Sequence, residues 1–140
     1  MSRFWVDTDF GFDDLWALLV LRHLGARVAG ISLVAGNAPL PQVLSNALGA
    51  LQAYGFDTPI YAGADRPLVR NPETAERILG PRGMRSRGQY LPNCGGAVEL
   101  KDADAALKAW LRSAQQGERR DILAIGPLTN VARLIQDTPD

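Results

Sequence analysis

The sequence predicts an open α/β sheet, mostly parallel and flanked by helices, of which this chain supplies an incomplete part. Three observations carry that expectation. Short apolar runs alternate with segments of helical period, each run stops on Gly or polar residues, and 140 residues with 46% hydrophobic content suffice for one compact unit. Strands that alternate with helices call for parallel pairing through right-handed crossovers, with helices on both faces of the sheet. One domain is expected over residues 1–140, burying roughly two-thirds of the surface that the unfolded chain exposes.

The elements follow in order. Phe4, Trp5 and Val6 form a brief apolar strand ending on Asp7, and Leu15, Ala17, Leu18, Leu19 and Leu21 continue as a helix until Gly25. Val28 to Val34 is a second, partly β-branched run closed by Gly36 and Asn37. Pro39 and Pro41 introduce a helix whose apolar face is Val43, Leu44, Ala47, Leu48 and Leu51. Pro59, Ile60 and Tyr61 read as a short third strand, after which a long loop at about 63–100 is rich in Gly, Pro and Arg. A helix resumes at Ala103 and runs through Trp110 to Ala114, and Gly117 ends it. Ile122 to Ile125 make a fourth strand, broken by Gly126 and Pro127, and Val131 to Ile135 begin a last helix. There is no internal repeat.

The charge balance narrows the partners. Lys plus Arg number 15 and Asp plus Glu 15, a net charge of zero, so no electrostatic case exists for nucleic acid or an acidic membrane. Met1-Ser2-Arg3 runs straight into the first strand without an apolar leader core, and no apolar stretch reaches the ~20 residues that cross a bilayer. The single Cys94 cannot form an internal disulfide. A cytoplasmic location is expected.

Sites in open α/β sheets lie beyond the carboxyl ends of the strands. There the sequence places Asp7-Thr8-Asp9-Phe10-Gly11-Phe12-Asp13-Asp14, then Gly36-Asn37, then Gly126 to Asn130. Four carboxylates within eight residues repel one another, and burying even one unpaired charge is costly, so a cation is the simplest resolution. Oxygen ligands without a His or Cys cluster favour Ca²⁺ or Mg²⁺ over zinc. Gly11 lets the backbone turn so that Asp9 and Asp14 converge. Helix capping explains acids in the first helical turn, Asp13 and Asp14, but not Asp7 and Asp9 on the strand end.

These residues resemble the N-terminal signature Asp-x-Asp-Pro-Gly-x-Asp-Asp of the inosine-uridine preferring nucleoside hydrolases, with Phe10 where Pro is usual. Val34-Ala35-Gly36-Asn37 with Ser45-Asn46-Ala47, and Ala124-Ile125-Gly126-Pro127-Leu128-Thr129-Asn130, resemble two further segments of that family in the same order. The resemblance implies calcium-dependent hydrolysis of the N-glycosidic bond of a ribonucleoside, in purine and pyrimidine salvage. It implies that Asp9 is a calcium ligand and the general base, that Asp14 and the Ile125 carbonyl complete this chain's calcium ligands, that Asp13 and Asn37 bind ribose hydroxyls, and that Asp7 supports the turn from behind.

The chain stops before a C-terminal His-Asp pair that the family uses for calcium and for the leaving base. Leu79 stands where many members carry His. A non-catalytic calcium-binding or oligomerising fragment is therefore the alternative expectation, and an unpaired sheet edge would favour a homo-oligomer. A phosphatase of the haloacid dehalogenase type shares Asp-x-Asp but needs a downstream Lys, and only Lys101 and Lys108 are available. Elsewhere the expectations are plain. His23 sits near a helix C-terminus, Cys94 is a loop residue, and Arg82, Arg85 and Arg87 form a solvated run. Trp5 and Trp110 pack in the core, and Tyr90 is a candidate to stack on a nucleobase.

Overall fold

A computed structural model of the chain describes residues 3–84, 87–94 and 101–139. Arg85, Gly95, Gly96 and Asp140 lie outside the described residues. The order is β1 (Arg3–Thr8), α1 (Phe12–His23), β2 (Arg27–Leu33), α2 (Leu40–Tyr54), β3 (Ile60–Ala62), α3 (Glu76–Leu79), α4 (Ala103–Arg112), β4 (Arg120–Ala124) and α5 (Thr129–Asp137). The strands form one sheet in the order β3-β2-β1-β4, all pairs parallel. The central strand β1 is thus the one whose end carries Asp7 and Thr8.

Side chains of β1 alternate between two cores, as a strand covered on both faces requires. On one side Val6 joins Ile31 and Leu33 of β2, Leu15 and Leu18 of α1, and Val43, Ala47 and Ala50 of α2. On the other, Trp5 packs with Leu107 of α4 and Leu134 of α5. Burial of each such large side chain is worth about 1.5–3 kcal/mol. Trp5 is 1% exposed. Its ring stacks on Tyr61 at 5.3 Å and lies 5.5 Å from Trp110, and its Nε1 donates to Ser32 Oγ at 3.0 Å. Gly30 of β2 leaves space for that ring, since a Cβ there would lie 2.6 Å from it.

Local signals agree with the element ends. Pro41 sits in the first turn of α2, and Gly55 ends that helix in the left-handed conformation at φ 64°. Asp102 caps α4 by accepting from Ala105 N at 3.1 Å. Two expectations are refined. The stretch after Gly63 contains the short helix α3, and α4 ends at Arg112 rather than Ala114, where Ser113 N turns back to Ala109 O. No helix among the described residues is long and apolar enough to cross a membrane.

Candidate metal and sugar site

The acidic turn lies between β1 and α1, at the carboxyl edge of the sheet. Asp7, Thr8, Asp9 and Asp14 are all buried there, Asp7 completely. Phe10 has φ 49°, a conformation that bulky residues rarely adopt, and is itself fully buried. Proline fixes φ near about −65°, so the usual residue of the motif could not take this backbone. In its place the ring of Phe10 anchors the turn in the core between sheet and helices, and Phe10 N donates to Thr8 Oγ1 at 2.9 Å.

Asp14, on the first turn of α1, accepts from Gly11 N at 2.6 Å through Oδ2. That is the expected capping role, and it uses one oxygen. Its Oδ1 is buried with no hydrogen-bond partner. A Cβ built at Gly11 would lie 2.7 Å from Asp13 Oδ1, 2.8 Å from Asn37 Nδ2 and 3.2 Å from Asp14 Oδ2. Gly11 therefore marks a small volume on which an acid, an amide and a second acid converge.

Asp9 belongs to the same cluster. Its Oδ2 accepts from Asn37 N at 2.7 Å, which ties the end of β1 to the turn after β2, and the Asp14 carboxyl is a close charged neighbour. Gly36 is required here, because a Cβ at that position would collide with Asp9 Oδ2. Gly126 is also close: its Cβ would fall 2.7 Å from Asp9 N. The Ile125–Gly126 segment is thus pressed against the Asp9 backbone, and Ile125 N donates to Asp7 O at 2.9 Å.

The electrostatics are those of uncompensated burial. Desolvation pushes the Asp14 carboxyl up to about 7, and the neighbouring Asp9 and Asp13 charges add to the rise against the hydrogen bond from Gly11. Asp9 is raised by the same desolvation, opposed by the Asn37 amide. Burial also raises Asp7, although Ser32 and Asn130 both donate to it. No cation among the described side chains pairs with these acids, since every ion pair lies elsewhere.

Such a donor set, all oxygen and net negative, fits a hard cation in kind. It supplies part of a shell of 6–8 oxygens. Among the described residues no group of three or more His, Cys, Asp or Glu side chains is arranged to hold an ion by itself. Carboxylates of Asp9 and Asp14 and the neighbouring main chain are the ligands on offer. Lys108 is engaged by Asp104 at 2.6 Å and Asp137 at 2.7 Å, away from the acidic turn, so the phosphatase reading has no lysine from that helix.

Sequence reasoning brought Asp7, Asp9, Asp13, Asp14, Asn37 and Ile125 to one edge, and these residues do meet there. It missed Ser32 and named Asn130 only as the end of the Gly126-to-Asn130 cluster, without a role; both hold Asp7. Asn130 carried a faint signal as the polar residue opening α5 after a Gly-Pro break. Ser32 carried none, being a small residue in an apolar strand. On the loop, the Arg82 guanidinium lies 4.5 Å over the Tyr90 ring, so a cation already covers one face of the proposed stacking residue. Arg82 and Tyr90 line a cavity of about 380 Å³ with Leu79 and Met84. Cys94 donates to Gln52 Oε1 at 2.9 Å, as an ordinary loop residue can.

Comparison with known proteins agrees with the motif. The model of the family described as inosine-uridine preferring nucleoside hydrolase matches residues 4–140. Over 96% of its length the chain is 33% identical to the non-specific ribonucleoside hydrolase RihC of Escherichia coli, covering 43% of that protein. It is 36% identical to an uncharacterized protein of Schizosaccharomyces pombe over 96% of its length, again covering 43% of the relative. The whole chain matches the solved structure of an inosine-guanosine nucleoside hydrolase with a TM-score of 0.86 at 30% identity, covering 44% of that structure. The chain thus spans somewhat less than half the length of these relatives. With the motif, the sheet and the match over nearly all its residues, the chain belongs to the inosine-uridine preferring nucleoside hydrolase family.

Proposed function

We propose that the chain forms the calcium- and ribose-binding part of an enzyme that hydrolyses the N-glycosidic bond of ribonucleosides to ribose and free base. One observation carries the reading: Asp9 and Asp14 are buried side by side at the sheet edge, Asp14 Oδ1 has no hydrogen-bond partner, and among the described residues no side-chain cation pairs with either acid. Such an arrangement is costly unless a ligand compensates it.

In this reading Asp9, Asp14 and the Ile125 carbonyl hold the calcium. When bound, the ion lowers the pKa of water and orients the ribose diol. Asp9 takes the proton as a water oxygen bonds to the anomeric carbon, and the electron pair of the breaking C–N bond leaves with the base. Asp13 and Asn37 fix the ribose hydroxyls, which holds the anomeric carbon in place as positive charge develops on the ring. Asp7 supports the turn without touching substrate. The departing base must gain a proton, and Leu79 has none to give.

The test is release of reducing sugar from inosine and uridine with calcium present. Turnover is expected, and Asp9→Ala should lower kcat by at least about a thousandfold while near-ultraviolet circular dichroism is unchanged. Tight calcium binding without sugar release from any common nucleoside would instead support a non-catalytic calcium-binding role.

A further inference from the structure

Asp7 is hydrogen-bonded as though its position mattered more than its charge. Oδ1 accepts from Ser32 Oγ and from Asn130 Nδ2, the latter at 2.7 Å, and Oδ2 is buried without a partner. Its main-chain carbonyl accepts from Ile125 N at 2.9 Å and Gly126 N at 3.3 Å. Asp7 therefore grips the turn after β4 at both ends, by its carbonyl at residues 125–126 and by its carboxylate at residue 130.

Asn130 is the other half of that grip. Besides Asp7, its Nδ2 donates to Leu33 O at 3.1 Å and its Oδ1 accepts from Ala64 N at 2.8 Å. One amide at the start of α5 thus joins the ends of β1 and β2 and the residues after β3. Gly63 makes room for it, because a Cβ there would collide with both Asn130 and Leu33 O. An apolar residue at position 130 would leave Asp7 Oδ1, Leu33 O and Ala64 N short of a partner in a buried site, so the amide has no cheap substitute.

We infer that Asn130 is a positioning residue: by clamping Asp7 to the turn 125–130 it fixes the Ile125 carbonyl against Asp9. The calcium part of this inference rests on the proposed function; the clamp itself does not. Ser32 provides the internal control. It donates to the same oxygen of Asp7, and its other hydrogen bond comes from Trp5 Nε1 rather than from the 125–130 turn.

The experiment compares wild type, Asn130→Ala and Ser32→Ala by amide hydrogen exchange without metal and by calorimetric titration with calcium chloride. In Asn130→Ala the Ile125 and Gly126 amides should exchange at least about tenfold faster and calcium affinity should fall at least about tenfold. Ser32→Ala should leave both within about threefold. Unchanged exchange at Ile125 and Gly126 in Asn130→Ala, or equal changes in the two variants, would overturn the inference. Faster exchange in Asn130→Ala, together with no calcium binding by the wild-type protein, would keep the clamp and reject the metal reading. Should Asn130→Ala fail to fold, Asn130→Asp keeps the acceptor for Ala64 N but sets a second carboxylate oxygen against Asp7 and Leu33 O in place of the donor, which should also speed exchange of the same amides, and those amides decide the question.

Discussion

The ends of β1 and β2 meet the long loop after β3 at Asn37, yet strand ends and loop are built on different terms. Ala75 N reaches Asn37 O at 3.0 Å, and Gly83 packs so closely that a Cβ on it would lie 2.9 Å from Ala38. At the strand ends Asp7, Asp14 and Ser32 are essentially inaccessible, and Gly36, Gly63 and Gly126 sit where no side chain fits. On the loop Val69 is 95% exposed, and Gly80 and Gly88 have nothing within reach of a Cβ. The first region is tightly packed, with little room for any added atom. At its exposed positions the second can change residues at little structural cost.

Substitutions can break that contrast or sharpen it. The largest effect should come from Phe10, whose ring anchors the acidic turn. Phe10→Ala should cost about 3–5 kcal/mol in chemical denaturation, as loss of a buried ring does. Because φ is positive there, Phe10→Gly should be at least as stable as Phe10→Ala, the reverse of the order seen in ordinary strands and helices. A glycine variant clearly weaker than the alanine one would refute the strained-turn account.

The next effect separates packed glycines from open ones. Gly36→Ala should displace Asp9 and lower calcium affinity by at least about tenfold, because its methyl collides with Asp9 Oδ2. Gly88→Ala meets no neighbour, and its cost of about 1–2 kcal/mol should come only from its φ of +83°, with calcium affinity unchanged. Calorimetry on the two variants decides it, and equal losses of affinity would erase the distinction drawn here.

Acidity offers a gentler test. Asp14 titrates at about 7 in the fold against an ordinary 3.8, so between those values the folded protein holds more protons than the unfolded chain. Stability without metal should therefore fall as pH rises through that window, and Asp7 and Asp9 push in the same direction. Urea midpoints in chelator should be lower at about pH 8 than at about pH 5, and calcium should recover most of the difference at the higher pH. A midpoint that rose with pH would contradict the burial of these acids. The smallest effect belongs to the loop: Tyr90→Ala removes a cation–π contact with Arg82 and should cost less than about 1 kcal/mol in the same assay.

How much of this could be read from the chain differs between the same two regions. The strands and major helices were legible because apolar periodicity and the Gly and Pro stops are local, and Val6, Leu15, Val43 and Leu107 all turned inward as their spacing required. The acids of the site were legible because crowding like charges is wasteful without a purpose. The positive φ of Phe10 was not, since no local residue type announces it and it is held by burial of the ring and by the hydrogen bond from Phe10 N to Thr8 Oγ1. Ser32 and the bonding role of Asn130 escaped because hydrogen bonds between residues far apart in the chain leave no periodic trace. The helix α3 escaped because its four residues are too short to display a period.

The bond between Asp7 and Asn130 also has a meaning in time. The two residues are 123 positions apart, and Ser32 is 25 positions from Asp7. A growing polypeptide emerges with its acids first and receives the amide that steadies them only after β4 has been made. Until then the first strand carries a carboxylate with one of its two donors still to come, so the geometry at its end is decided by the late part of the translated segment rather than the early one.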